Sequence, residues 1–465
     1  MTRIVQVIAA PAAGAYYVED LAALQAAPLP VSDRYTAPPV TPGFQRVREP
    51  AEAVSVGLVL EDAAGRRQVA WGDCVGVAYS GKAGRDPVFR AAEGLAIVRQ
   101  VVAPALVGRE VAAFRPLAEE MEALIAAVDV GALHPEPDAV PKPLSRREVL
   151  SPAGLLRALR EEMEKNLAPA PLTAGGHHAV RYGVSQALLA ATALAQGVTM
   201  AEVIAAEWGL PPPAAPVPIH AQSGAERVAN ADKMIVRRVA SLPHALVDDV
   251  EGQVGSDGAK LVQYVRWLTE RIQTLGGPDY HPTIHLDVHG ALGRITHNEA
   301  GRVLGHLHAL EQAARPYSLR VECPVMLDSR AEQIAFFKRL REYIRLRGMR
   351  VQIVADEWAN TLEDIRAFVD AQAADMIQIK MPDLGGVQNA VEAVLACRAG
   401  GVEAFLGGSC CETDLSARVS VHVALATQPA LLMAKPGMGT DEAIMLAHNE
   451  MGRTLAWIRA RRGAS

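Results

Sequence analysis

Three carboxylates in the C-terminal half of the chain recur at nearly equal intervals. Asp287 lies in HLDVHG, Glu322 in VECP and Asp356 in VADEW, at intervals of 35 and 34 residues. One strand and one helix need about this length, so neighbouring parallel strands would present the three acids at one edge. Buried like charges repel unless a cation holds them, and hard oxygen ligands favour Mg²⁺. The spacing therefore predicts a magnesium site, although any one acid alone could be a solvated loop residue or a helix cap.

A lysine follows one unit further along. Lys380 ends the apolar run MIQIK. In an apolar pocket beside a divalent cation, desolvation and charge repulsion would lower the pKa of its ammonium group, so Lys380 could act as a general base. The alternative is a lysine whose stem packs on apolar surface while its charged end reaches water.

Other polar residues lie near the ends of apolar runs. Gln222 follows the first run, and His244 lies beyond the second, in SLPHALVD. His244 could act on the opposite face of a substrate, although a lone histidine is more often a structural hydrogen-bonding residue. His285 and His289 flank Asp287, and we place both outside the metal shell because only a continuing strand would point them to the same side.

Two glycine-bounded loops follow the last two apolar runs. In the loop from Gly407 to Cys410, glycines would let backbone N–H groups approach a substrate carboxylate. Cys410 and Cys411 are adjacent, but no His or Asn at a familiar spacing supports a cysteine nucleophile, and small buried side chains are at least as good an interpretation. For KPGMG, residues 435–439, turn geometry is the expected role.

Eight apolar runs could supply the strands that position these residues. They are VPIHA, MIVRRVA, TIHLDV, LRVEC, VQIVA, MIQIK, EAFLG and LLMAK. Amphipathic segments such as 259–273 and 331–345 separate them, a pattern typical of a closed (β/α)8 barrel. A doubly wound open sheet is the alternative, but no glycine-rich phosphate motif follows an early strand. We therefore predict an α/β fold with a TIM-type barrel over residues 213–465.

The first 212 residues lack this alternation. Short β-rich runs at 4–8, 54–60 and 75–79 mix with a helical stretch at 91–100, which indicates an α+β domain. From about residue 115 to 178 the chain is rich in Ala, Glu and Pro, with helical periodicity at 155–167. We predict an N-terminal α+β capping domain over residues 1–212 that includes this long insert.

Composition limits the class of protein. The 465 residues carry 46 basic and 52 acidic side chains, a net charge of -6, with no basic stripe of the kind that binds nucleic acid. No run of about 18 apolar residues predicts a membrane span, and the N-terminus lacks a convincing signal-peptide core. Five scattered cysteines without a CxxC pair suit reduced thiols in the cytosol. We expect a cytosolic enzyme with a small-molecule ligand, and neither nucleic acid nor membrane as partner.

Long segments spread over nearly the whole chain resemble those of one known family. They are YSGKAGRDPVF, RYGVSQALLAA, HAQSGAERVANADKMI, LPHALVDDVEG, HLDVHG, VADEWANT, QIKMPDLGGVQN, GGSCCETD and AKPGMGTDE. The resemblance is to the methylaspartate ammonia-lyases of the enolase superfamily. It implies a capping domain on a (β/α)8 barrel, a homodimer, and elimination of ammonia from 3-methylaspartate to give mesaconate, with amine addition as the reverse reaction.

The resemblance also implies roles for individual residues. Mg²⁺ would lie on Asp287, Glu322 and Asp356, Lys380 would be the base, and K⁺ is a usual activator. The residues implied to surround the substrate are His244, Gln222, Gln378, Ser409 and Cys410. The pairing of a Lys or His base with Mg²⁺ is a general property of the enolase superfamily, and the spacing of residues alone does not establish it.

Three features depart from the family pattern. Ser409 stands where relatives typically have Thr, and Ala78 where they usually have Gln near the substrate's amino group or alkyl side. The stretch from about residue 130 to 176 looks longer than in relatives. We expect Ser409 to change binding little, and Ala78 to alter the range of substrates.

Two other functions compete with this prediction. Another enolase-superfamily lyase, such as an acid-sugar dehydratase or a muconate-type cycloisomerase, would share the three acids. Muconate-type enzymes carry a KxK pair on the second strand, whereas this chain reads MIVRRVA there. A catalytically silent barrel acting as a binding subunit is the other alternative, and it is disfavoured because unpaired charge at a barrel rim is costly to keep.

Overall fold

The computed structural model describes most of the chain. The described residues are 1–26, 29, 31–133, 177–224, 226–245, 247, 249–435 and 437–463. The predicted helix at 155–167 and nearly all of the predicted insert at 130–176 lie outside them.

An antiparallel sheet of three strands forms the core of the N-terminal part. Its strands are β1 (Arg3–Glu19), β2 (Arg48–Glu61) and β3 (Arg67–Val75), with β2 in the centre. The predicted runs at 4–8 and 54–60 lie within β1 and β2. The predicted strand at 75–79 is wrong, because β3 ends at Val75 and the backbone N–H of Ala78 then donates to the Ser409 side chain instead of to a strand.

Helices make up much of the rest of the described N-terminal part. They are α1 (Leu21–Ala26), α2 (Val31–Arg34), α3 (Ala91–Ile97), α4 (Ala103–Leu106), α5 (Phe114–Ala126), α6 (His178–Gln196) and α7 (Met200–Glu207), with a π-helical turn at Val98–Val102 and a 3-10 turn at Val130–Ala132. Helix α6 lies directly on β3, because a Cβ at Gly72 or Gly183 would overlap the backbone of the facing element. Two glycines thus permit the close helix–sheet contact.

Eight parallel strands close into a barrel after residue 213. They are β4 (Ile219–His220), β5 (Ser241–His244), β6 (Thr283–Asp287), β7 (Leu319–Glu322), β8 (Gln352–Ala355), β9 (Met376–Ile379), β10 (Glu403–Leu406) and β11 (Leu431–Met433). Each strand pairs with its successor and β11 pairs with β4, so the barrel is closed. The predicted (β/α)8 barrel with a capping domain is confirmed, and the open-sheet alternative is excluded.

The helices outside the barrel alternate with its strands. They are α8 (Arg227–Val236), α9 (Ala259–Gly276), α10 (Ala291–Thr296), α11 (Ala300–Ala314), α12 (Arg330–Leu346), α13 (Leu362–Asp370), α14 (Val387–Ala399), α15 (Asp414–Thr427) and α16 (Thr440–Gly463), with a π-helical turn at Val250–Val254. Side-chain caps begin several of them. Thr361 and Thr413 form capping boxes at α13 and α15, which satisfies N–H groups that the helix itself leaves unpaired.

The second predicted strand, MIVRRVA, is wrong. Its first residues belong to helix α8, whose Met234 and Ile235 are buried while Val236 is exposed, as on an amphipathic helix. A left-handed backbone at Arg238 (φ 53°) follows the helix, and the strand is the next segment, Ser241–His244. This strand, SLPH, contains no lysine, so the absence of a muconate-type KxK pair holds on the correct segment.

Strand register decides which side chains point into the barrel. Asp287 pairs with Glu322 across β6 and β7, and Glu322 pairs with Val354 of β8. Alternation along β8 therefore directs Asp356, two residues later, to the same side as Val354. The interior below the acids is filled by the rings of His220, His285 and Phe405, with centroids 4.6 to 5.4 Å apart. The barrel is thus packed below and open only at the carboxyl ends of its strands.

No single helix among the described residues has the length and apolar character needed to cross a membrane. Taken together, α6 and α7, which bend by 93° at their junction, meet that criterion by length and composition.

Candidate active site

A pocket opens where the carboxyl ends of the barrel strands meet the small domain. Its lining residues are Val77, Ala78, Tyr79, Arg85, Gln222, His244, Asp287, His289, Asp356, Gln378, Lys380, Gly408, Ser409, Cys410 and Met433. The predicted site residues are therefore brought together, with one difference. Glu322 lies beneath the pocket and is fully buried, accepting a hydrogen bond from Gln378 Nε2 at 2.5 Å and facing His285 Nε2 at 2.8 Å. The roles of these residues stay predictions.

The predicted acids form a buried patch of negative charge. Asp287, Glu322 and Asp356 are each 3% exposed or less. Burial, together with repulsion by Asp287 and Asp356, holds the pKa of Glu322 well above its usual range. Burial and repulsion by Glu357 raise the pKa of Asp356 to about 6, outweighing the opposite effects of Lys380 and Arg85. Burial is therefore the main obstacle to ionising these acids, and at Asp356 the neighbouring Lys380 and Arg85 do not fully offset it.

Lys380 pairs directly with one of these acids. Its Nζ lies 2.5 Å from Asp356 Oδ2, and its side chain is 16% exposed, toward the pocket. Burial lowers the pKa of Lys380, but the combined attraction by Asp356 and Glu357 is stronger, and the net pKa is raised. The lowering expected from the sequence requires a cation beside Lys380, since the protein's own carboxylates act in the opposite direction.

His244 reaches the pocket through an unusual backbone conformation. In the β5–β6 register it pairs with Leu286, whose side chain points away from the barrel interior. The left-handed backbone at His244 (φ 62°) and Ala245 (φ 50°) instead turns the imidazole inward. Its Nε2 lies 3.4 Å from Asp287 Oδ2 and its Nδ1 3.3 Å from His220 Nε2. Strained backbone of this kind is typical of functional sites.

The two histidines that flank Asp287 have different surroundings. Ligand atoms of His244, His285 and Glu322 lie within 4.8 Å of one another, the one such grouping among the described residues. Burial holds the pKa of His285 well below its usual range, so its ring is neutral. Imidazole suits zinc and other transition metals better than Mg²⁺. The neutral His285 ring, bonded to Glu322, is therefore better suited to orient the Glu322 side chain than to bind Mg²⁺. His289 lies 3.5 Å from Glu357 Oε1.

The Ser409 hydroxyl is fixed by two backbone groups. Its Oγ accepts from the N–H of Ala78 and of Cys411, each at 3.2 Å. Because both acceptor positions are occupied, the hydroxyl hydrogen remains available to donate. Ser409 is buried and lines the pocket beside Ala78. A hydroxyl donor therefore faces any ligand there.

The expectation that backbone N–H groups of this loop approach an anion is wrong for two positions. The N–H of Gly407 donates to Ile379 O, and that of Ser409 donates to Glu412 Oε2 at 3.0 Å. Both donors are therefore used inside the protein. Burial raises the pKa of the Cys410 thiol to about 12, so it is protonated at neutral pH and is not a thiolate nucleophile.

Sequence reasoning missed Arg85, which crosses from the small domain into the barrel. Its side chain is 1% exposed and lies 3.0 Å from Asp383 and 3.3 Å from Asp356, with Glu357 Oε1 at 3.7 Å. The segment YSGKAGRDPVF contains the residue, but it is not near an apolar run of the barrel, and no spacing rule relates it to Asp356. The one indication in the sequence is the charged Arg85 directly after a glycine, in AGRD.

Comparison with known proteins covers the chain almost end to end. The family model described as methylaspartate ammonia-lyase N-terminus matches residues 2–135 and 142–209, and the model for the C-terminus matches 213–460. Methylaspartate ammonia-lyase 2 of Carboxydothermus hydrogenoformans is 42% identical over 99% of this chain and 100% of its own length.

Solved structures of the same kind superpose well. The methylaspartate ammonia-lyase of Citrobacter amalonaticus containing (2S,3S)-3-methylaspartic acid has a TM-score of 0.83 and 40% identity, covering 98% of this chain and 100% of that one. The Mg complex of β-methylaspartase from Clostridium tetanomorphum has a TM-score of 0.80 and 37% identity, covering 99% and 100%. Muconate lactonizing enzyme of Pseudomonas putida, with 14% identity and a TM-score of 0.55 over 91% and 84%, shares the fold alone.

Proposed function

The chain belongs to the methylaspartate ammonia-lyase family, and from this premise we propose how its residues carry out the reaction. The reaction is the elimination of ammonia from 3-methylaspartate to give mesaconate, so the enzyme is a carbon–nitrogen lyase. The observation that carries the proposal is the meeting of Asp287, Asp356 and Lys380 in one pocket, above the buried Glu322. A different superfamily lyase has no comparable support.

Asp287, Glu322 and Asp356 would hold Mg²⁺. Burial, followed by repulsion from neighbouring acids, raises the pKa values of Glu322 and Asp356, and a divalent cation bound by oxygen ligands would favour their ionised forms. The related Clostridium tetanomorphum enzyme forms an Mg complex, which supports the choice of metal. When bound, the ion supplies stabilisation for the negative charge that develops on a substrate carboxylate.

Lys380 is the proposed base. In its neutral form, which a cation beside it would favour, the Nζ takes the proton from C3 of 3-methylaspartate, the electron pair left on C3 forms the C2–C3 double bond, and the C2–N bond breaks to release ammonia. Lys380 follows β9, its Nζ is bonded to Asp356, and its side chain lines the pocket. A proton acceptor needs this position beside the substrate. His244 faces the substrate from the other side of the pocket.

Four further side chains would bind the substrate's polar groups. They are Gln222, Gln378, Ser409 and Cys410. Glu322 fixes the Gln378 amide by accepting its Nε2–H, which leaves Gln378 Oε1 buried without a protein partner and able to accept from the substrate's ammonium group. The Ser409 hydroxyl, with both acceptor positions used, would donate to a substrate carboxylate.

Turnover of the purified protein tests this proposal. With (2S,3S)-3-methylaspartate and Mg²⁺, we expect ultraviolet absorbance of mesaconate to rise together with an equal amount of ammonia. A chelator should stop the reaction and added Mg²⁺ should restore it. Full turnover with the chelator present would contradict the metal site. Dehydration of a hydroxy acid without turnover of 3-methylaspartate would favour another superfamily lyase.

Four further features are proposed with this function, of which the homodimer and the activation by K⁺ follow from the family resemblance. The domains would be 1–212 and 213–465, and the family models meet between 209 and 213. The enzyme would be a homodimer, to be measured by light scattering, and K⁺ would increase its rate relative to tetramethylammonium. A cytosolic location is supported by the five cysteines, all free in the structure, and cell fractionation would test it.

A further inference from the structure

Lys435, the first residue of KPGMG, is buried rather than part of an exposed turn. It is 3% exposed, and its Nζ donates to Gly407 O at 2.6 Å and to Glu412 Oε2 at 3.0 Å. Both partners belong to the segment that follows β10. A lysine from the end of β11 is therefore bonded to the loop that carries Ser409 and Cys410.

Glu412 extends these contacts in two directions. It is fully buried, and its Oε2 also accepts from the N–H of Ser409 at 3.0 Å. Its Oε1 accepts from the hydroxyl of Tyr182, on helix α6 of the small domain, at 3.0 Å. Lys435, Glu412 and Tyr182 form a buried network, here called the Lys435 network. It touches the loop at Gly407 and Ser409, on both sides of Gly408.

Two glycines, Gly408 and Gly437, allow the Lys435 network to pack closely against the loop that carries Ser409 and Cys410. A Cβ at Gly408 would lie 2.7 Å from Lys435 Nζ and 2.8 Å from its Cδ. At Gly437, where φ is 85°, a Cβ would overlap Cys410 O and lie 2.9 Å from Tyr16 Cβ. The loops at 407–412 and 435–439 are therefore in direct contact, with no room for a side chain at either glycine.

Stability alone does not explain the ion pair. Removing Lys435 and Glu412 from water is costly, and apolar residues of similar volume often serve a core equally well. Burial lowers the pKa of Lys435 in spite of its partner Glu412, which reflects that cost. What the pair provides is a fixed position for Gly407 O and for the N–H of Ser409, which no apolar pair could bond.

We propose that Lys435 is a positioning residue for substrate binding: through Gly407 and Glu412 it holds the loop so that the Ser409 hydroxyl and Cys410 face a substrate carboxylate. Lys435 itself does not line the pocket. The inference rests on the proposed function, because it assumes that Ser409 and Cys410 contact the substrate. It concerns binding rather than proton transfer, since Lys380 and the acids lie on other strands.

The test is Lys435→Met, which keeps the stem and removes the charge. We expect KM for 3-methylaspartate to rise about tenfold or more while kcat falls less than about threefold, because lost ground-state contacts appear in KM. Mesaconate binding by calorimetry should weaken by a similar factor, with Mg²⁺ affinity unchanged. Unchanged KM and mesaconate affinity, or a loss of Mg²⁺ affinity that accounts for the defect, would overturn the proposal.

Further variants keep the test decisive. Lys260→Met, at an exposed lysine, is the matched control and should leave KM unaltered. Gly408→Ala disturbs the same contact from the loop side and should raise KM in the same way. If Lys435→Met does not fold, the neutral pair Lys435→Met with Glu412→Gln removes the charge imbalance. That pair should still show raised KM, and wild-type KM in the folded pair would contradict the proposal.

Failure of this inference differs from failure of the proposed function. Wild-type turnover of 3-methylaspartate decides the function without any variant. Calorimetry measures the affinity for mesaconate even where turnover is absent. The Lys435 variants therefore give a result in both cases.

Discussion

Two walls of the pocket are built on different physical principles. The charged wall consists of Asp287, Asp356 and Lys380, with Glu322 beneath, and its members come from the ends of strands β6 to β9. The serine wall consists of Ala78, Ser409 and Cys410, on loops from both domains, and is uncharged. Barrel register fixes the first wall, whereas backbone hydrogen bonds fix the second.

Because of this difference, we expect the charged wall to control the rate of the reaction and the serine wall to control which substrates bind. On the charged wall, buried carboxylates lie close together and Lys380 Nζ pairs directly with Asp356, so each substitution there removes a charge. On the serine wall, small uncharged side chains line the pocket, and a substitution changes its shape or one hydrogen bond. We therefore expect substitutions in the charged wall to cost more than substitutions in the serine wall.

Lys380→Ala should have the largest effect. Loss of the base should lower kcat for 3-methylaspartate by about 10³-fold or more, since proton transfer by a placed side chain contributes about 10² to 10⁴. Mesaconate formation is measured by ultraviolet absorbance, with Mg²⁺ affinity from calorimetry staying near that of the wild type. Lys338→Ala, at an exposed position, is the control. Unchanged turnover would remove Lys380 from the mechanism.

Asp356→Asn should come next. Loss of one charged oxygen ligand should weaken Mg²⁺ binding about 100-fold, and activity should then require more metal. A titration of rate against Mg²⁺ measures the shift, and Asp370→Asn on the exposed end of α13 should cause none. Wild-type dependence on Mg²⁺ in the Asp356 variant would break the contrast between the two walls.

Ala78→Gln probes the serine wall at the position where the family resemblance implies a Gln. A longer side chain should exclude alkylamines more than ammonia, so the ratio of methylamine to ammonia addition to mesaconate should fall about tenfold, the order that one methylene commonly controls. Rates of adduct formation give the ratio, and Ala78→Ser provides a small control. An unchanged ratio would mean that Ala78 does not limit the amine.

Ser409→Thr should have the smallest effect. The added methyl keeps the hydroxyl and its donor capacity, so KM should change less than about threefold. By contrast, Ser409→Ala removes a donor to a charged group and should raise KM about tenfold or more. Steady-state kinetics of both variants compare them. Equal effects of the two substitutions would show that the hydroxyl makes no contact with the substrate.

The residues of the charged wall could be predicted from the sequence because the ends of buried strands can be recognised in it. Buried parallel strands are continuous apolar runs, and Asp287, Glu322, Asp356 and Lys380 each close one. The second strand could not be found this way, since the apolar face of helix α8 resembles a strand over a few residues. His244 still lies near its predicted position, because the true strand, SLPH, directly follows the segment MIVRRVA.

Contacts between residues of the two domains could not be predicted from the sequence. Arg85 and Asp356 are 271 residues apart, and their pairing depends on how the small domain lies on the barrel. The same is true of Ala78 and Ser409. The use of the Ser409 N–H by Glu412 was missed because a glycine-rich loop indicates that backbone can approach an anion, but not which internal acceptor competes for its donors.

The Arg85 side chain has a consequence for how such a protein changes over generations. Its guanidinium comes from the small domain, yet it pairs with Asp356 and Asp383 of the barrel at 1% exposure. A barrel paired with a foreign cap lacking this arginine would carry unmatched buried acids. We therefore expect a hybrid of this barrel with a relative's small domain to fold stably only where that small domain supplies an arginine at the same place.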